Sequence, residues 1–154
     1  MTDDRLESVE IDPASLPAAS DDVTRDRQRA IADLIAAGGF KPEGAESGPF
    51  SLRLSLQDTK LAVQVTGPDY ERGHLVSLTP LKPVIRDYRM ICESYHEALR
   101  GASASRIESV DMGRRGLHNE GAEAVKARLA GKIALEHEAA RKLFTLLVAV
   151  TRKA

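Results

Sequence analysis

An α+β domain is what this sequence predicts, with a small antiparallel three-stranded sheet, a candidate fourth edge strand and about four helices. Two observations carry that expectation. Between residues 50 and 66 apolar and polar residues alternate with period two, and after residue 83 the apolar residues recur with helical period. Strands thus come before long helices in chain order, which is the α+β pattern.

Each element has a local reason. The chain divides into an acidic segment, 1–20, and a single domain, 21–154. Arg5 to Ile11 reads as the edge strand, with Val9 and Ile11 inward and Glu10 outward. Asp12 to Ser20, with Pro13 and Pro17, reads as a loop. A helix follows from about Asp22 to Ala37, with Ser20, Asp21 and Asp22 as candidate N-caps, and Gly38-Gly39 stops it. Its stripe is Ala30, Ile31, Leu34 and Ile35. Lys41 to Pro49 is a Gly/Pro/Glu loop.

Phe50, Leu52, Leu54 and Leu56, then Leu61, Val63 and Val65, alternate with polar or small residues about a turn at Gln57–Lys60. This predicts a hairpin with one buried face. The other face (Ser51, Arg53, Ser55, Gln64, Thr66) is expected to be solvated. Gly67 to Gly73 reads as a loop and His74 to Leu78 as the third strand.

A helix from about Pro83 to Arg100 carries a continuous apolar face. Ser103 or Ser105 caps the next one, and Ser105-x-x-Glu108 fits a capping box. That helix extends toward Ala130 and Gly131. Lys132 to Glu136 reads equally as strand or helix. The last helix, about His137 to Thr151, is apolar almost all round and is expected to be central or at a subunit interface.

The composition excludes several classes. The 154 residues are 42% hydrophobic and 29% charged, with a net charge of −1. A generic nucleic-acid coat needs a basic excess that is missing. The acidic start has no signal-peptide pattern, and the longest apolar stretch, Leu143 to Val150, is far below the ~20 residues of a membrane span. Cys92 is the single cysteine, which excludes an intrachain disulfide and suits a cytoplasmic protein. With aromatics at 4% and no Trp, the core is expected to be aliphatic.

Two stretches are distinctive: Met90-Ile-Cys-Glu-Ser-Tyr95 and Asp111-Met-Gly-Arg-Arg-Gly-Leu-His-Asn-Glu-Gly121. With Ser77-Leu-Thr-Pro80, Leu129-Ala-Gly-Lys-Ile133 and Arg141-Lys-Leu-Phe-Thr-Leu146, they resemble an uncharacterised alphaproteobacterial family, uncharacterised protein family 0262. The resemblance implies a small bacterial protein; it brings no activity, cofactor or catalytic residue with it.

On a continuous helix, Ile107, Val110, Arg114, Leu117, Gly121, Ala124 and Val125 share one face, which sets Arg114 in an apolar stripe. A buried guanidinium needs a counter-charge. Asp111 at i−3 is the nearest, His118 at i+4 is within reach, and Glu93 and Asp87 lie on the preceding helix. Gly113, Gly116 and Gly121 each cost a helix about 1 kcal/mol relative to Ala. Either something approaches closely there, or the helix breaks at Gly113–Gly116 and presents Arg114, Arg115, His118 and Asn119 at a new N-terminus.

Three functions follow. The leading one is a non-catalytic binding or adaptor protein that engages an anionic small molecule or a protein partner through Arg114, Arg115, His118 and Asn119. Against it stands the reading in which Asp111–Arg114 is a purely structural ion pair and the glycines permit tight helix packing. The second is a hydrolase or transferase acting on a phosphorylated small molecule, with His118 as acid/base, Asp111 as its orienter and Arg114/Arg115 as the clamp. The third is a homo-oligomer held by the final helix. A concave pocket beside His118 favours the enzyme; a flat or filled surface favours the adaptor. Neither a P-loop nor a GxGxxG is present, so no cofactor is expected. Glu93-x-x-His96 is half of a di-iron spacing without its second copy, so no metal is expected. Cys92, on an apolar face, reads as inert core.

Overall fold

The computed structural model describes residues 3–152. Met1, Thr2, Lys153 and Ala154, at the ends of the two predicted segments, lie outside the described residues.

β1 (Leu6–Ile11) forms the predicted edge strand, but it runs parallel to β3 (Phe50–Gln57). The sheet is therefore mixed and four-stranded, in the order β1-β3-β4-β5, and not an antiparallel three-stranded one. The reason is the connection. A hairpin would need a short turn, whereas the chain between β1 and β3 contains α1 (Asp21–Ala37), the kind of crossover that delivers a parallel neighbour. A register shift between Leu6 and Ser8 lets Leu6 and Val9, three residues apart, both point into the core. The Ser20 hydroxyl caps α1 by accepting from the Val23 N–H at 3.2 Å. Gly38 and Gly39 both have φ of +65° and end it.

β3 and β4 (Lys60–Gly67) make the expected hairpin around Asp58-Thr59, with Asp58 at φ 58°. Leu52 faces Val65, Leu54 faces Val63 and Leu56 faces Leu61 on the helix-covered side, while Arg53 and Thr66 face solvent. Leu56, near the turn, is only half-buried. β5 (Tyr70–Ser77) begins four residues earlier than predicted, because Pro68-Asp69 is a tight turn and Tyr70–Gly73 pair fully with β4. On an edge strand Glu71, Arg72 and Gly73 are exposed, so no alternation betrays them.

Two segments read as loop or ambiguous form a second sheet. β2 (Phe40–Pro42) pairs antiparallel with β6 (Ile133–Leu135). Three residues are too few for a period to register in the sequence.

α2 (Lys82–Leu99) and α3 (Ala104–Leu129) pack together, and α3 is unbroken through Gly113–Gly116. Ser103, not Ser105, is the N-cap, accepting from the Arg106 N–H at 3.2 Å; Ser105 already lies in the first turn, so the predicted capping box is absent. α4 (His137–Val150) is central, packed against α1 and α3 with eight buried residues. Its apolar surface is consumed within the chain. The three Phe residues, Phe40, Phe50 and Phe144, are all buried, so the aliphatic core is organised around three aromatic centres.

Candidate functional site

The motif Asp111–Gly121 occupies the middle turns of α3, and its side chains separate into two groups.

The first group faces α2. Asp111 Oδ1 accepts from Arg114 Nε at 3.2 Å and Nη2 at 2.6 Å, and Oδ2 accepts from Arg115 Nη2 at 2.9 Å. The Arg114 guanidinium lies 4.1 Å from the centre of the Tyr95 ring, a cation–π stack. Hydrogen bonding from Arg114, reinforced by the Arg115 charge, holds the Asp111 carboxyl below its usual range. The expected partner of Arg114 is thus the observed one. The expected burial is not: the side chains of Arg114 and Asp111 are 34% and 18% exposed, and among the described residues no charged residue is buried. Arg114 sits at the margin of the stripe, where its stem covers apolar surface and its head reaches water.

The second group faces α4. His118 does not reach Arg114 or Asp111. Its Nδ1 accepts from Arg141 Nη2 at 3.1 Å, and a guanidinium can only donate, so the ring proton is on Nε2. Nε2 donates to the Arg141 carbonyl at 3.1 Å and the Thr145 hydroxyl at 2.9 Å. The ring lies between Tyr88 and Phe144, with centroids at 5.3 and 5.9 Å. Burial, together with the nearby Arg141 and Lys142 charges, lowers its pKa below the ordinary value. Asn119 accepts through Oδ1 from His137 Nε2 at 3.3 Å, and Glu123 lies 3.4 Å from His137 Nδ1.

The three glycines also divide. A Cβ on Gly121 would strike the Phe144 ring, and one on Gly113 would lie 2.6 Å from Ile91 Cδ1; both permit close packing. Gly116 is exposed, and apart from its chain neighbours and the backbone of its own helix nothing described lies within 4 Å of where its Cβ would be. Met112, Arg115, Gly116 and Asn119 fall on one helical face, turned away from the core. Met112 is 66% exposed and Arg115 73%. Spacing alone could have marked this face, since a methionine among polar residues at i, i+3, i+4 and i+7 is out of place. The Arg141 and Thr145 partners of His118 lie on another helix and leave no local signal.

Behind His118, Tyr88 and Thr145 also line a groove of about 330 Å³ between α1 and α2, floored by Ala30, Val148 and Ala149. His118 is not among its lining residues. Cys92 lies half-buried on its wall, where burial pushes the thiol pKa up. Glu93 and His96 are exposed on its rim, and no group of three metal-ligating side chains occurs among the described residues. Among the described residues no helix is long and apolar enough to cross a membrane.

A family model described as Uncharacterised protein family (UPF0262) matches residues 3–153. Similar proteins carrying the same family name occur in Phenylobacterium zucineum, 52% identical across 95% of this chain and 92% of the relative. In Caulobacter vibrioides the figures are 47%, 95% and 92%, and in Brucella abortus 49%, 93% and 91%. No solved structure matches the chain.

Proposed function

We propose, for a chain that belongs to the uncharacterised protein family UPF0262, a non-catalytic binding role in which the outward face of α3 docks a protein partner. The observation that carries this is Gly116. It weakens the helix by about 1 kcal/mol relative to Ala, yet nothing within the described chain occupies the space it leaves. Beside it, Met112 offers an exposed apolar contact, and Arg115 and Asn119 offer polar ones. The Asp111 carboxylate is shared between two guanidiniums, so the cluster keeps one positive charge in excess for an acidic group of the partner. The reading is preferred to the hydrolase or transferase because both His118 nitrogens are engaged by α4 and the ring is covered by Tyr88 and Phe144. A general base needs a free nitrogen facing its substrate.

The test compares Gly116→Leu and Arg115→Glu with wild type in a deletion strain, with melting temperatures measured alongside. Folded variants that fail to complement are expected. Full complementation by both removes the docking reading.

A further inference from the structure

We infer that the partner of this face is a second copy of the chain, docked antiparallel along α3 about a twofold axis at Met112; the inference rests on the docking reading above. Ser105, Glu108, Met112, Arg115 and Asn119 recur every three or four residues and are all exposed. Glu108 and Arg115 are two turns apart, and Met112 lies between them.

A twofold interface is self-complementary: where residue i of one copy meets j of the other, j meets i. With the axis at Met112, Glu108 of each copy is level with Gly116 of the other and about 1.5 Å along the helix from Arg115, within reach of that long side chain. Ser105 then faces Asn119, and the two Met112 side chains meet at the centre. One helix thereby supplies two ion pairs and two polar pairs around an apolar contact, and methionine adapts its shape to such a contact. The parallel arrangement would set Glu108 against Glu108 and Arg115 against Arg115, which like charges oppose. Arg115 holds Asp111 Oδ2 through Nη2 at 2.9 Å, yet its side chain is 73% exposed and a guanidinium has five N–H donors, so donors remain for a carboxylate across the interface. Gly116, level with Glu108 of the second copy, carries no side chain and leaves that carboxylate open space in which to reach Arg115.

Sedimentation of the full chain over a concentration series tests the assignment. Wild type is expected to pass from monomer to dimer. Glu108→Arg and Arg115→Glu are each expected to stay monomeric, and the double variant to recover the dimer. Met112→Cys in a Cys92→Ser background is expected to form a covalent dimer on mild oxidation. Circular dichroism confirms that each variant is folded. A wild type that stays monomeric throughout overturns the proposal, as does a dimer that neither single reversal weakens. Complementation separates this from the underlying reading. If wild type is monomeric and Arg115→Glu fails to complement, only the second copy is overturned. If wild type is monomeric and both Arg115→Glu and Gly116→Leu complement fully, both fall.

Discussion

Arg141 donates to His118 through a 3.1 Å contact between Nη2 and Nδ1, while its own backbone oxygen accepts the proton His118 carries on Nε2. The pair holds the imidazole neutral and ties the middle of α3 to α4. A second proton on the ring would remove the acceptor and set two cations face to face.

Stability should therefore fall in mild acid. The folded-state pKa of His118 lies below its unfolded value of about 6.5, so the unfolded chain binds the proton more readily. The loss begins as pH drops through the unfolded value and levels off below the folded one. His74 is also lowered, chiefly by burial, so the contribution of His118 must be isolated by difference. His118→Gln should flatten the melting-temperature profile in the acid range. A profile parallel to wild type would show that the ring does not titrate differently on folding.

The glycines make an ordered prediction. Gly116→Ala gains helix propensity in open space and should raise stability by about 1 kcal/mol. Gly113→Ala makes the same gain but must displace the flexible end of Ile91, and should be near neutral. Gly121→Ala drives a methyl group into a buried ring and should destabilise most. Three melting curves suffice to check the order.

Phe144 has no exposed surface and joins Gly121, Tyr88 and His118 in one contact. Phe144→Ala should cost about 3–5 kcal/mol. At about 2–4 °C per kcal/mol for a chain of this size, the melting temperature should fall by roughly 6–20 °C. A change of a degree or two would contradict the buried placement.

Asp111 and Arg114 predict a non-additive pair. Asp111→Leu alone leaves Arg114 and Arg115 adjacent without their shared carboxylate. The double variant Asp111→Leu, Arg114→Met removes one of those charges and keeps an apolar stem beside Tyr95. It should melt above Asp111→Leu and close to wild type. A double variant no better than the single one would show that Arg114 does not depend on Asp111.

What the sequence discloses depends on the range of the interaction. The hairpin is legible because Leu52, Leu54, Val63 and Val65 record the sheet's period directly. The Asp111–Arg114 pair is legible because i, i+3 neighbours share a helix face. The parallel partner of β1, the three-residue pairing of Phe40–Pro42 with Ile133–Leu135, and the Arg141 contact of His118 all depend on distant residues. Counting positions along α3 places His118 next to Arg114, but it turns toward α4, because its ring is more fully satisfied there.

The parallel pairing of β1 with β3 also sets an order of assembly. β3, β4 and β5 are linked by two-residue turns and can zip locally, whereas Leu6 meets Phe50 only after the whole α1 crossover is in place. Closing that long loop is entropically costly until helix and sheet together reward it. The amino-terminal strand should accordingly be the last to join the sheet and the first to leave it. Its amides should exchange with solvent through partial openings that leave the meander intact.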